Sequence, residues 1–163
     1  MGGEKMILFH GGTEVIESPV CKFGRPNLDF GQGFYLTDIL EQAQSWASRQ
    51  ASDRKLKGVV NVYEFDYESA VNQYRYLHFE TYNEEWLDFI VDSRKGKKPW
   101  ADYDIVEGGV ANDRVIDTVE LYSLGILSKQ DALGRLSEHQ PNNQICILNQ
   151  DVVSKFLKFI KTL

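Results

Sequence analysis

The sequence predicts an α+β fold, and three observations lead there. Short strand-like runs are scattered among helix-like segments without a regular βαβ period, tyrosines recur through the chain, and no internal repeat or low-complexity linker interrupts it. At 163 residues the chain is expected to form one domain, spanning residues 1–163. Hydrophobic residues make up 42% and charged residues 26%, an ordinary globular balance that excludes disorder, collagen or coiled coil as descriptions of the whole.

The elements follow in order. Met6-Ile-Leu-Phe9 is an apolar run ending at His10-Gly11-Gly12, which predicts a buried strand and then a turn. Residues 18–33 carry Pro19, Gly24, Pro26, Asn27, Gly31 and Gly33, a loop leading into a short aromatic strand at 33–37. Asp38 with Glu41 reads as a capping box heading a helix to about residue 52, with Ile39, Leu40, Ala43, Trp46 and Ala47 on its apolar face. A strand is predicted over 58–66 and a helix over 83–93, ended by the basic run Arg94-Lys-Gly-Lys-Lys98 before Pro99. Residues 103–106 predict a strand opening into Glu107-Gly-Gly-Val-Ala-Asn-Asp113, then a helix over 115–124. Ser128 and Asp131 suggest a second capping box for a helix over 129–137. A strand over 144–148 leads into a last helix, with Val152, Val153, Phe156, Leu157 and Ile160 on one face.

Charge and cysteines narrow the function. Lys and Arg number 18 against 24 Asp and Glu, a net charge of −6, which disfavours a nucleic-acid-coating protein but not an enzyme acting on one. Cys21 and Cys146 stand far apart with no metal-ligand spacing, so reduced thiols, no structural metal and a cytoplasmic location are expected. Apolar runs are too short for a membrane helix or a secretory signal, so no membrane partner is expected.

Four segments carry more chemistry than packing requires. In Phe9-His10-Gly11-Gly12 a strand delivers a histidine beside glycines that would let a ligand approach the backbone; a satisfied structural histidine is the other reading. The stretch 24–37 gathers Arg25, Asp29, Phe34, Tyr35 and three glycines. It is not a dinucleotide fingerprint, because a strand follows the glycines and the third glycine is missing, and a glycine-rich hairpin with core aromatics is an equal reading. In the third, Asn112 and Asp113 either meet a polar ligand or cap the following helix, the cap being favoured. In Asn142-Asn-Gln144, Gln144 points into a cleft or satisfies a strand edge. The run 94–98 reads as a solvated loop, with phosphate contact as the alternative. P-loop, HExxH, GxSxG and EF-hand patterns are absent.

In this order the segments LFHGGTEVIESP (8–19), GRPNLDFGQGFYLT (24–37), EQAQSWA (41–47), YDIVEGGVAND (103–113), LYSLGILSKQDALGRL (121–136) and NQICILNQDVVSKFLKF (143–159) resemble the bacterial family of domains of unknown function 3990, within the ADP-ribosyltransferase superfamily. The resemblance implies two small antiparallel sheets forming a cleft that binds NAD as substrate, with surrounding helices and no metal. His10 would bond the adenosine-side ribose and the Gly11 backbone would hold the nicotinamide carboxamide. Tyr35 would pack on the nicotinamide ring, Phe34 would face the core side, and Arg25 would meet the pyrophosphate. Gln144 stands where the superfamily has a glutamate; it keeps the reach to a ribose hydroxyl but neither charge nor basicity. Asp113, then Glu107, are the substitute carboxylates, with Asn112 on the acceptor side. The implied activity is transfer of ADP-ribose to a protein, nucleic-acid or small-molecule acceptor, with an NAD glycohydrolase or a non-catalytic binding module as alternatives. By analogy, stand-alone bacterial domains of this kind look like toxins or defence effectors with an antitoxin or immunity partner.

Overall fold

The computed structural model describes residues 4–163, and of Asp113 the backbone only. Strand β1 (Met6–Gly12) is followed by a 3-10 turn (Cys21–Phe23), strand β2 (Phe34–Leu36), helix α1 (Leu40–Arg54), strand β3 (Val59–Phe65), helix α2 (Tyr67–Gln73) and strand β4 (Tyr76–His78). Then come helix α3 (Glu84–Arg94), a 3-10 turn (Pro99–Asp102), strand β5 (Ile105–Gly109), helices α4 (Asp113–Ser123) and α5 (Lys129–Leu136), strand β6 (Asn143–Ile147), helix α6 (Gln150–Phe156) and strand β7 (Leu157–Thr162). The fold is α+β, with sheets ordered β1-β3-β7 and β2-β6-β5-β4.

Strand alternation sorts the core into layers. Leu8, Tyr63 and Phe65 of the first sheet face Phe34, Leu36, Ile105, Ile145 and Ile147 of the second, and Val152 and Val153 of α6 join the same cluster. Behind the first sheet, α1 lays Ala43 and Ala47 on Phe9 and Val60. Behind the second, Val106 and Cys146 pack with Trp86, Leu87 and Ile90 of α3, Val115 and Val119 of α4, and Ala132 and Leu136 of α5.

Several expectations need correction. The second sheet is mixed, because β4 runs parallel to β5. Strand β1 does not turn at His10; pairing with β3 carries it to Gly12 opposite Val59. Helix α1 has no Asp38–Glu41 capping box: Ile39 is its N-cap, and the Thr37 hydroxyl takes the Ile39 N–H at 3.1 Å. Thr37 is pinned by β1, so the turn is closed one residue before Asp38 can cap it. The last helix stops at Phe156. Leu157 and Phe159 alternate with Lys158, and that period-two pattern lets 157–162 pair with the free edge of β3, Phe159 packing edge-on against Tyr63 with ring centroids 5.8 Å apart. The 103–106 strand lies two residues later, at Ile105–Gly109, and α2 and β4 had no counterpart in the sequence reading. The Ser128 cap is present, its hydroxyl taking the Asp131 N–H at 3.1 Å.

Candidate active site at the divergence of two strands

Among the described residues, one backbone bridge joins the two sheets. Phe9 N–H donates to Thr37 O at 2.8 Å and Thr37 N–H to Phe9 O at 2.9 Å. Since Phe9 spends both backbone groups on β2, alternation gives the β1–β3 ladder to the even-numbered residues of β1. Gly11 therefore turns its N–H and C=O to the β2 edge. Past the bridge β2 has left the ladder, and among the described residues Gly11 has no backbone partner on that edge. The result is a donor and an acceptor side by side at the mouth of a strand divergence.

The glycine itself answers to a different neighbour than the sequence suggested. A Cβ on Gly11 would lie 1.9 Å from Ala43 O and 2.9 Å from Ala47 N, so its missing side chain lets α1 sit down on β1, not a ligand. A Cβ on Gly12 would meet nothing closer than 3.5 Å.

Register places the other groups. Tyr35 opposes Cys146 and Leu36 opposes Ile145, so Tyr35, Thr37, Cys146 and Gln144 share one face of the second sheet, the face continuous with Phe9 and Gly11 across the bridge. Gln144 is only 4% exposed, and among the described residues its side chain makes no hydrogen bond. Beside it runs a polar seam. Thr37 Oγ1 donates to Asn143 O at 2.8 Å, Gln42 Nε2 of α1 reaches the same carbonyl at 3.5 Å, and Asn112 Nδ2 reaches Gln42 Oε1 at 3.5 Å. Asn112 holds the N-cap position of α4, yet its side chain does not cap the helix but turns to the seam.

Tyr35 is locked in place. Its hydroxyl donates to Gly31 O at 2.6 Å and accepts from Phe30 N–H at 3.0 Å, so only the ring remains for another partner. Burial is the main reason its phenol is held well above the usual range. His10 lies on the reverse face, stacked on Phe34 with centroids 4.3 Å apart. Its Nδ1 is 2.7 Å from Tyr35 O, an acceptor only, so Nδ1 carries the proton and Nε2 is left as an acceptor. Burial lowers the His10 pKa, opposed by that hydrogen bond, and the ring is neutral.

The structure thus gathers Tyr35, Gln144 and the Gly11 edge, with His10 and Phe34 behind β2. Arg25 is exposed on the 24–33 loop. The Asp113 side chain lies outside the described residues. Glu107, the second substitute carboxylate, faces the wrong way: it shares the Ile105 face, opposite to Gln144. Only 6% exposed, it accepts from Tyr67 OH at 2.9 Å, from Tyr76 OH, and from Asn143 Nδ2 at 2.9 Å, with His78 Nε2 at 3.8 Å. Every partner holds it as an acceptor, and its role is to pin Asn143 beside Gln144. Gln42, Thr37 and Asn143 were missed as seam residues. Gln42 stood in a helix read for its apolar face, and nothing in the sequence pairs it with Asn143.

The two cavities described, of about 290 and about 590 Å³, are lined by other residues: the smaller includes Asn112 and Asn142, the larger Gln32, Trp100 and Leu148. Among the described residues no three His, Cys, Asp or Glu side chains converge as metal ligands, and no helix is long and apolar enough to cross a membrane.

The family model described as "Protein of unknown function (DUF3990)" matches residues 6–159, from the first residue of β1 into β7. The chain belongs to the DUF3990 family. No curated protein and no solved structure matches it significantly. The match takes in the whole strand divergence of this DUF3990 domain, from Gly11 and Tyr35 to Asn112 and Gln144.

Proposed function

We propose that this DUF3990 domain is ADP-ribosyltransferase-like: it binds NAD at the divergence of β1 and β2 and transfers ADP-ribose to an acceptor, releasing nicotinamide. One observation carries the reading. The outward N–H and C=O of Gly11 form a donor–acceptor pair, the complement of a primary carboxamide, which offers one C=O and one NH₂. The Tyr35 ring, immobilised by its own hydroxyl, gives the pyridine a flat neighbour. Gln144 offers its unspent amide to a ribose hydroxyl. His10 accepts through Nε2 from the adenosine-side ribose, with Phe34 behind its ring, and Arg25 on the flanking loop meets the pyrophosphate.

In the step itself the bond from ribose C1′ to the pyridinium nitrogen breaks. Its electron pair leaves with nicotinamide, which becomes neutral, while an acceptor oxygen or nitrogen forms the new bond to C1′ and yields its proton to a base or solvent. Positive charge develops on the ribose, and a fixed carboxylate nearby would stabilise it. Glu107 is buried on the other face in a complete hydrogen-bond cage, which leaves Asp113, beside Asn112 on the acceptor side, as the carboxylate for this step.

Incubation of the purified chain with NAD tests the reading, with and without cell lysate, by measuring free nicotinamide and the labelled product of tagged NAD. Release that requires lysate supports transfer, and release without lysate supports hydrolysis. Equal turnover by the chain carrying Tyr35→Ala and Gln144→Ala together would remove the site. A second reading, a non-catalytic NAD-binding module, is favoured by one feature, the uncharged Gln144. It predicts a melting temperature raised by NAD and no nicotinamide.

A further inference from the structure

Beside the seam lies a cavity of about 290 Å³ that gathers an arginine, a histidine and several amides. Its walls are Asn112, Arg114, His139, Gln140 and Asn142 around Tyr82. The Tyr82 hydroxyl is spent on Val110 O at 2.8 Å. Among the described residues, the side chains of Arg114, His139, Gln140 and Asn142 make no hydrogen bond. A guanidinium, an imidazole and side-chain amides lining one cavity offer several N–H donors to a single anion, and a phosphate, which only accepts, is a ligand that takes them together.

Position links the cavity to the strand divergence. Asn112 both lines it and reaches Gln42 in the seam, and Asn142 lies two residues before Gln144. In the other basic cluster, residues 94–98, two side chains are already paired: Arg94 Nε is 2.6 Å from Asp29 Oδ1, and Lys97 Nζ is 3.6 Å from Asp92 Oδ1.

We propose that the Arg114–His139–Asn142 cavity is a phosphate-binding subsite and that, resting on the reading above, the phosphate-bearing molecule it holds is the acceptor. The test titrates the isotope-labelled full chain with inorganic phosphate, AMP and a 5′-phosphorylated single-stranded oligonucleotide, following the Arg114 Nε–H and the side-chain amides of Asn112 and Asn142 by NMR. Saturable shifts are expected, with affinity at least about tenfold weaker in Arg114→Ala/His139→Ala, equivalent to about 1.4 kcal/mol. The exposed control Lys95→Gln/Lys98→Gln, which also removes positive charge, is expected to bind as the parent does. Tighter binding of the oligonucleotide than of AMP identifies a nucleic-acid end as the source; equal binding identifies a small phosphorylated molecule. Absent shifts, or loss of binding in the 95/98 variant instead, overturn the subsite. The acceptor role is read with tagged NAD. Label on AMP or the oligonucleotide with the parent and not with Arg114→Ala/His139→Ala supports it, and nicotinamide release without label on either overturns it. Phosphate binding without any nicotinamide release leaves the subsite standing and removes the NAD reading alone.

Discussion

Replacing Gly11 by alanine separates what the helix needs from what the strand edge offers. The added methyl would sit 1.9 Å from Ala43 O, about 1.6 Å short of the 3.5 Å at which carbon contacts become favourable. It would also lie 2.9 Å from Ala47 N, wedged into the i to i+4 position where the Ala47 N–H meets the Ala43 carbonyl. Both obstacles are backbone, so no side chain can rotate away, and relief requires α1 to lift from β1 with loss of the Ala43, Ala47 and Val60 packing. Overpacking of this kind runs to about 1–3 kcal/mol, and backbone obstruction places it at the upper end, about 3 kcal/mol. At roughly 2–4 °C per kcal/mol for a chain of this size, Gly11→Ala melts about 6–12 °C below the parent. The control is Gly12→Ala, whose methyl finds its nearest contacts at 3.5 Å on the His10 ring and 3.6 Å on Gln50 Oε1, ordinary van der Waals separations; it melts within about 2 °C of the parent. Circular dichroism melts on the three proteins decide it. A Gly11→Ala protein as stable as the parent, or a Gly12→Ala protein less stable than Gly11→Ala, would refute the packing argument.

Three further outcomes follow from the same geometry. Glu107→Ala leaves the Asn143 amide and one hydroxyl of the Tyr67–Tyr76 pair without an acceptor and lowers stability by about 2–3 kcal/mol in urea unfolding, whereas Glu107→Gln keeps one acceptor and loses less. Burial holds His10 neutral with its pKa below 6.5, so the unfolded chain binds a proton that the native state refuses. Its contribution is whole above the unfolded value and drains as pH falls from 6.5 toward the native pKa; unfolding free energies measured from about pH 7.5 to about pH 5 fall less steeply in His10→Phe than in the parent. Gln144→Glu places a carboxylate on the Tyr35 face, and on the proposed reading nicotinamide release from NAD without acceptor rises by about tenfold or more; no rise would show that charge at this position is not what limits the site.

The architecture was legible where local chemistry governs and illegible where distant partners do. Val59–Phe65 and the α3 and α5 helices announce themselves through periodicity and, for α5, through Ser128 as its cap, whereas the Asn83 cap of α3 came only with the structure. The capping of α1 and the ending of α6 did not, because each is decided by another strand: β1 pins Thr37, and the open edge of β3 captures Leu157–Thr162. The site divides in the same way. Tyr35 and Gln144 were visible as residue types with chemistry, and antiparallel register brings them to one face. Glu107 stood second to Asp113 in the same glycine-containing segment, but β5 continues through it, and alternation turns its carboxylate to Tyr67 and Tyr76. A one-residue phase difference along a strand decides which face a carboxylate serves. Gly11 shows a subtler confusion, since the glycine answers to α1 while the backbone pair it carries faces the other way.

The most direct measurement is the backbone amide of Gly11 itself, followed by ¹⁵N–¹H NMR as nicotinamide, and separately NAD, is added to the full chain. A carboxamide seated at the divergence of β1 and β2 takes the Gly11 N–H as its donor, so that resonance moves downfield and saturates with both ligands, together with the Gln144 side-chain amide when NAD is used. A Gly11 resonance that stays still, whether NAD binds elsewhere or not at all, would contradict the assignment of this strand divergence as the nicotinamide site.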